Sequence, residues 1–158
     1  MQRLLTIAVL LAAIALPSVA VQYGAKAGEA AVADKWIAAW NSHDPDKMLP
    51  VFTSDVYYED VAFGEVSYGS AEFRKFAASE FEAVPDLKVE LVRASVSKGH
   101  GTIEWTFSGT DKDIYKTGKK FSVRGVSVID VRDGKIARSL DYYDAATIMR
   151  QVGVLPKQ

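Results

Sequence analysis

At Leu87 the hydrophobic pattern changes its period, and that change limits the fold more than any other feature of this 158-residue chain. Upstream, apolar residues recur at spacings of three and four, the repeat of one helical face. Ala33, Trp36, Ile37 and Trp40 give a first helix over 29–41. Asp44 is a good N-cap and Pro45 fits the first helical position, so a short second helix runs to about Phe52. DVYYED, residues 55–60, is rich in strand formers, and Gly64 and Gly69 bracket an irregular stretch after it. Ser70 caps a third helix with Phe73, Phe76, Ala77 and Phe81 inward, and Pro85 stops it. Downstream the period is two. Strands are expected over 87–97 and 102–110, joined by Gly99-His100-Gly101, and over 121–131 and 136–143, joined around Asp133-Gly134. Asp144 caps a last helix over 145–152, which Gly153 ends. Helices and strands segregated in this way make an α+β fold, with helices on one face of a mostly antiparallel sheet.

The first twenty residues follow a different rule. Arg3 precedes an apolar run over 4–16 broken only by Thr6, and Pro17-Ser18-Val19-Ala20 follows with small residues at 18 and 20. This is the order of a secretory signal peptide. The expectation is a signal peptide over 1–20, a flexible lead-in over 21–28 and a single domain over 29–156. The protein is then exported, periplasmic or secreted. The run falls short of the roughly 20 apolar residues of a membrane span, so no stable membrane anchor is expected after cleavage. The absence of cysteine excludes a disulfide framework and a thiolate nucleophile. A formal charge of −1 gives no field to draw in nucleic acid. His43 and His100 are the only histidines, one at a helix-end turn and one in a glycine hairpin. No metal site, Ser-His-Asp triad or cofactor is expected from them.

The last hairpin decides which side chains share a face. A three-residue loop with Gly134 left-handed pairs Val131 with Lys135, Ser127 with Ser139 and Gly125 with Asp141. Val123, Gly125, Ser127 and Ile129 then share one face with Ala137, Ser139, Asp141 and Tyr143. Arg124, Val126, Val128 and Asp130 share the other. A two-residue turn would instead move Asp141 across the sheet.

Several stretches also resemble a known family: WIAAWNSHDPDKM, DVYYEDVAFG, YGSAEFRKFAASEFEAVPDLKVE, TGKKFSVRGVSVIDVRDGKIARSLDYYD and MRQVGVLP. Together they are similar to the SnoaL-like polyketide cyclase group of the nuclear transport factor 2-like superfamily, over about Val32 to Leu155. The resemblance implies a cone-shaped curved sheet wrapped by helices (a cystatin-like cone barrel) with a ligand cavity in the cone. It also implies a homodimer through the outer sheet face, here the face with Arg124, Val126, Val128 and Asp130. The acid/base aspartate of the cyclase motif falls on Asp141, but the histidine fourteen residues earlier is replaced by Ser127. On the ketosteroid isomerase pattern the catalytic aspartate falls on Asp60, the oxyanion tyrosine on Trp36 and the second oxyanion acid again on Ser127.

The candidate site is therefore Asp141 and Asp60 facing an aromatic cavity, with Trp36, Trp40, Asn41, Tyr58, Trp105, Ser127 and Tyr143 as wall or orienting residues. A carboxylate desolvated by aromatic rings can remove a proton alpha to a carbonyl, because burial raises its pKa toward neutrality. An acid in mid-strand on a pocket face is otherwise costly, whereas Asp60 at a strand end also suits a plain turn cap. The expected ligand is a small, mostly apolar, carbonyl-bearing molecule, with acid–base chemistry of the aldol-cyclase or isomerase type. The alternative is a non-catalytic exported ligand-binding or protein-interaction domain. Epoxide hydrolysis would need an arginine near Gly125.

Overall fold

The computed structural model describes residues 27–156. The expected signal peptide and nearly all of the lead-in lie outside the described residues. Helix α1 (Ala27–Trp40) buries Val32, Ala33, Trp36, Ala39 and Trp40. Asp44 caps α2 (Pro45–Met48), its carboxylate accepting the Asp46 N–H at 2.9 Å. The second helix is shorter than expected. A single 3₁₀ turn, Leu49–Val51, follows it, and Phe52 opens strand β1 (Phe52–Asp60) instead of closing the helix.

Strand β2 (Glu65–Tyr68) occupies the stretch expected to be irregular. It pairs antiparallel with β1, Tyr57 opposite Tyr68 and Asp60 opposite Glu65. Its pattern hides it: the buried position is Ser67, while Val66 and Tyr68 are exposed. Helix α3 (Gly69–Ala83) starts one residue before Ser70, which does not cap it. Glu72, in the first turn, reaches back instead and accepts the N–H of the cap residue Tyr68 at 2.8 Å.

Strands β3 (Lys88–Ser97), β4 (His100–Thr110), β5 (Lys120–Arg132) and β6 (Lys135–Tyr143) stand where the period-two pattern puts them. Helix α4 (Ala145–Val152) closes the fold. The six strands form one sheet in the order β2-β1-β6-β5-β4-β3. Only β1 and β6 run parallel; the other neighbours are antiparallel. Residues sixty or more positions apart in the chain thus meet at the centre of the sheet, and Asp60 lies beside Asp141.

The last hairpin departs from the expected pairing. Asp133 and Gly134 both have positive φ, 52° and 73°, which is the two-residue turn that suits a tight hairpin. Arg132 pairs with Lys135 and Val131 with Ile136. Ala137 is then left over as a bulge, and from Asp130 and Arg138 onward the pairing is shifted by one residue. Ser127 faces Asp141 and Gly125 faces Tyr143, not Ser139 and Asp141 as the three-residue loop had it. The turn alone would have sent Asp141 to the outer face. The bulge cancels that inversion, because one extra residue resets the alternation.

Candidate active site

The inner face of the sheet, α1 and α3 enclose a cleft with about 400 Å³ of empty space, part of it open to solvent. Tyr58, Asp60, Asp141 and Tyr143 form its sheet wall near the β1–β6 seam. Trp105 and Phe107 from β4 and Leu87 and Val89 extend that wall. Trp36 and Trp40 from α1 and Phe76 and Glu80 from α3 form the opposite, helical wall.

Asp141 is 5% exposed. Its carboxylate accepts the Tyr58 hydroxyl at 2.7 Å and the Ser139 hydroxyl at 3.1 Å. The Ser127 hydroxyl accepts the Trp105 indole N–H at 2.9 Å and favours the Asp141 anion from the neighbouring strand. Burial nonetheless outweighs these hydroxyls and raises the Asp141 pKa to about 6. Asp60 is 6% exposed and differently held. Its carboxylate accepts the Tyr143 hydroxyl at 2.7 Å and the backbone N–H groups of Ala62 and Phe63 at 3.0 and 3.2 Å. Burial pushes it up as well, against those three donors. Burial and the two aspartates lift Tyr58 and Tyr143 above the ordinary phenol value, so both remain protonated donors.

Of the nine residues expected at the site, seven line the cleft: Asp141, Asp60, Trp36, Trp40, Tyr58, Trp105 and Tyr143. Ser127 is fully buried behind Asp141 and orients it. Asn41 is not a wall residue. Its side-chain amide is spent on β3, donating to the Val89 carbonyl and accepting the Val89 N–H, both at 2.8 Å. It ties the end of α1 to the sheet. Trp105 takes the inner face because its cross-strand partner is Gly125. A Cβ at Gly125 would lie 2.2 Å from the Trp105 ring, so the indole occupies the space where a side chain would stand.

Glu80 was not expected. It lines the cleft, is half-buried and has no hydrogen-bond partner for its carboxylate among the described residues. Burial first, and the charges of Asp60 and Glu65 next, raise its pKa to about 7. The signal was present. Glu80 follows Phe73 by seven residues, Phe76 by four and Ala77 by three, which is the inward stripe of α3. Among the described residues, no three acids or histidines converge as a metal-ligating group. His43 contacts the Leu87 carbonyl at 2.7 Å and His100 pairs with Asp130 at 2.6 Å, both away from the cleft wall.

A cone of this kind with an aromatic, acid-bearing cleft is matched at the level of sequence by the SnoaL-like domain profile, over residues 33–139. The chain belongs to the SnoaL-like domain family. The cyclase aurE of Calcarisporium arbuscula is 34% identical over 112 residues, covering 69% of this chain and 82% of that protein. Among solved structures, TsrD from Streptomyces laurentii has 24% identity and a TM-score of 0.73, over 83% of this chain and 98% of that one. A protein of ketosteroid isomerase-like fold from Catenulispora acidiphila, solved with trimethylamine, has 24% identity and a TM-score of 0.71, over 77% and 92%. At these identities the two structures establish the fold, and one fold hosts many chemistries.

Proposed function

We propose that this SnoaL-like domain binds a small, mostly apolar, carbonyl-bearing molecule in the cleft and catalyses cofactor-independent acid–base chemistry on it, of the aldol-cyclase or isomerase type. The observation that carries the reading is Asp141: a buried carboxyl in a wall of aromatic rings, held by hydroxyls, with its pKa raised to about 6. Such a group is a competent base near neutral pH. Asp141 takes a proton from the carbon alpha to the carbonyl. The C–H electron pair becomes the new C=C bond, and the carbonyl oxygen takes up the charge. Return of the proton at another carbon isomerises the ligand; attack of the enolate on a second carbonyl of the same molecule closes a ring. Asp60, one strand away and hydrogen-bonded by Tyr143, helps through its charge, which adds to burial in raising the Asp141 pKa.

The competing reading is a non-catalytic ligand-binding domain. Ser127 favours it, standing where related enzymes carry a titrating group, and so do the backbone N–H groups that hold Asp60 as a turn cap. Carbon-detected NMR titration separates the two, with Asp60→Asn and Asp141→Asn for assignment. The catalytic reading expects Asp141 near 6; values near the ordinary 3.9 for both acids overturn it. Export and dimerisation belong to the same proposal. Residues 1–20 serve as a cleaved export signal. The outer face, where Val126 pairs with Tyr142 and Val128 with Leu140 between Arg124 and Asp130, is the homodimer surface. N-terminal sequencing of the exported protein and light scattering test these two points.

A further inference from the structure

The helical wall of the cleft carries polar groups that the sheet wall does not satisfy. The indole N–H groups of Trp36 and Trp40 are buried with no acceptor among the described residues. The two residues are 2% and 5% exposed. A buried, unpaired donor is costly and rare, and both stand in the wall of one cleft. Glu80 lies on the same wall. Trp40 packs edge-on against Phe76 and Phe81, four residues before Glu80 and one after it on α3. Among the described residues no lysine, arginine or histidine lines the cleft to neutralise the carboxyl. Opposite, every aspartate oxygen facing the cleft already accepts a hydrogen bond.

Two orphaned N–H donors share this wall with a carboxyl that burial holds toward its protonated form, and no acceptor among the described residues meets the two indoles. A ligand oxygen supplies one. We propose that Glu80, Trp40 and Trp36 form the oxygen-binding end of the cleft, where the Glu80 carboxyl gives its proton to the ligand's carbonyl oxygen as Asp141 removes the carbon-bound proton. This rests on the enolisation reading of the cleft and adds its acid. The step balances: the C–H bond breaks and its proton passes to the Asp141 carboxylate, the C–H electron pair becomes C=C, the C=O π pair takes the Glu80 proton, and Glu80 is left as the anion. Reversal restores the Asp141 carboxylate and the Glu80 acid. A proton held near neutral pH suits Glu80 to this part, while the adjacent indoles stabilise the oxygen as charge builds on it.

The test uses the protein with two probes, 2-tetralone as an enolisable ketone and 2-naphthol as a mimic of its enol. Deuterium exchange at the alpha carbon of 2-tetralone is followed by proton NMR between pH 5 and 9, and 2-naphthol binding by tryptophan fluorescence. Glutamine keeps a donor but has no proton to give. Glu80→Gln is therefore expected to slow exchange about 100-fold, to abolish the fall in rate above pH 7, and to leave 2-naphthol affinity within about twofold. Glu80→Ala and Trp40→Phe are expected to weaken 2-naphthol binding about tenfold, the factor for one lost hydrogen bond of ~1.4 kcal/mol. Exchange by the wild type that Glu80→Gln leaves unchanged in rate and pH profile overturns this proposal and leaves the enolisation reading standing. A wild type that exchanges nothing overturns the enolisation reading and this proposal with it. Circular dichroism of each variant excludes loss of fold as the cause.

Discussion

The two walls of the cleft are built on opposite terms. On the sheet wall, each polar group has a fixed partner: Tyr58 and Ser139 on Asp141, Tyr143 and two backbone N–H groups on Asp60, Trp105 on Ser127. On the helical wall, the Trp36 and Trp40 nitrogens and the Glu80 carboxyl have none among the described residues. The difference follows from the elements. Neighbouring strands hold side chains about 5 Å apart in strict register, so donors and acceptors can be matched across the ladder. Helices α1 and α3 meet the sheet through aromatic rings, whose packing fixes ring positions but matches no polar atoms. The sheet wall is therefore pre-set, whereas on the proposal above the helical wall takes its acceptor from the ligand's oxygen. Preorganisation on one side and unmet hydrogen bonds on the other is a sound arrangement for a site that must both hold a base and select a substrate.

The largest effect that bears on this contrast is expected at Asp141. Its pKa is raised in the folded state, so ionisation opposes folding. The stability it would otherwise contribute is full below about pH 4 and is lost as pH rises through 6. Asp141→Asn should stabilise the protein by up to ~3 kcal/mol at pH 8 and by nothing at pH 3.5, read from urea unfolding at both values. Equal effects at the two pH values would show that Asp141 is not a desolvated acid. Next comes Ser127→Ala, which orphans the Trp105 N–H and removes a donor from Asp141. A loss of about 2 kcal/mol is expected, with a further rise in the Asp141 pKa visible by NMR.

A paired measurement sharpens the contrast further. Trp105→Phe and Trp40→Phe remove similar ring area, but only the first breaks a hydrogen bond. Trp105→Phe should cost about 1 kcal/mol more than Trp40→Phe. Equal losses would mean that the Trp40 N–H is satisfied in solution and the walls do not differ. The smallest effect is at half-buried Glu80, where solvent screens the charge. Glu80→Gln should stabilise by less than about 1 kcal/mol at pH 9, and not at all at pH 4, because the raised pKa makes the folded state lose stability as pH rises from the ordinary carboxyl range through about 7, with no further loss above it.

How much of this the sequence carries depends on the kind of contact. Strands 87–143 are legible because alternation is a local signal and each strand is long. Strand β2 is not, since it spans four residues with a serine as its buried position. The inner face of Asp141 is expected correctly, but through a loop of the wrong length; a two-residue turn and a bulge together give the parity of a three-residue loop. Pairing of β1 with β6 is invisible locally, because it joins segments about eighty residues apart. Glu80 is legible by spacing alone, yet a lone acid among aromatic residues near a helix end reads as a solvated charge. Asn41 reads as a pocket residue because its two bonds to Val89 depend on where β3 lies.

The bulge at Ala137 has a consequence for how such a chain tolerates change. Substitutions along β5 and β6 alter one contact each. A change in the number of paired residues is different in kind, because it acts as a frame shift does in a reading frame. Were the pairing set at Arg132 and Lys135 to run on unbroken with Ala137 drawn into the ladder, Leu140 and Tyr142 would take the places of Asp141 and Tyr143 beside Ser127 and Gly125, and the acid would turn outward. With Ala137 deleted, the same unbroken ladder would bring Arg138 opposite Asp130 and Asp141 opposite Ser127, which is the pairing already present. The site therefore rests less on the identity of residue 137 than on that residue staying out of the count.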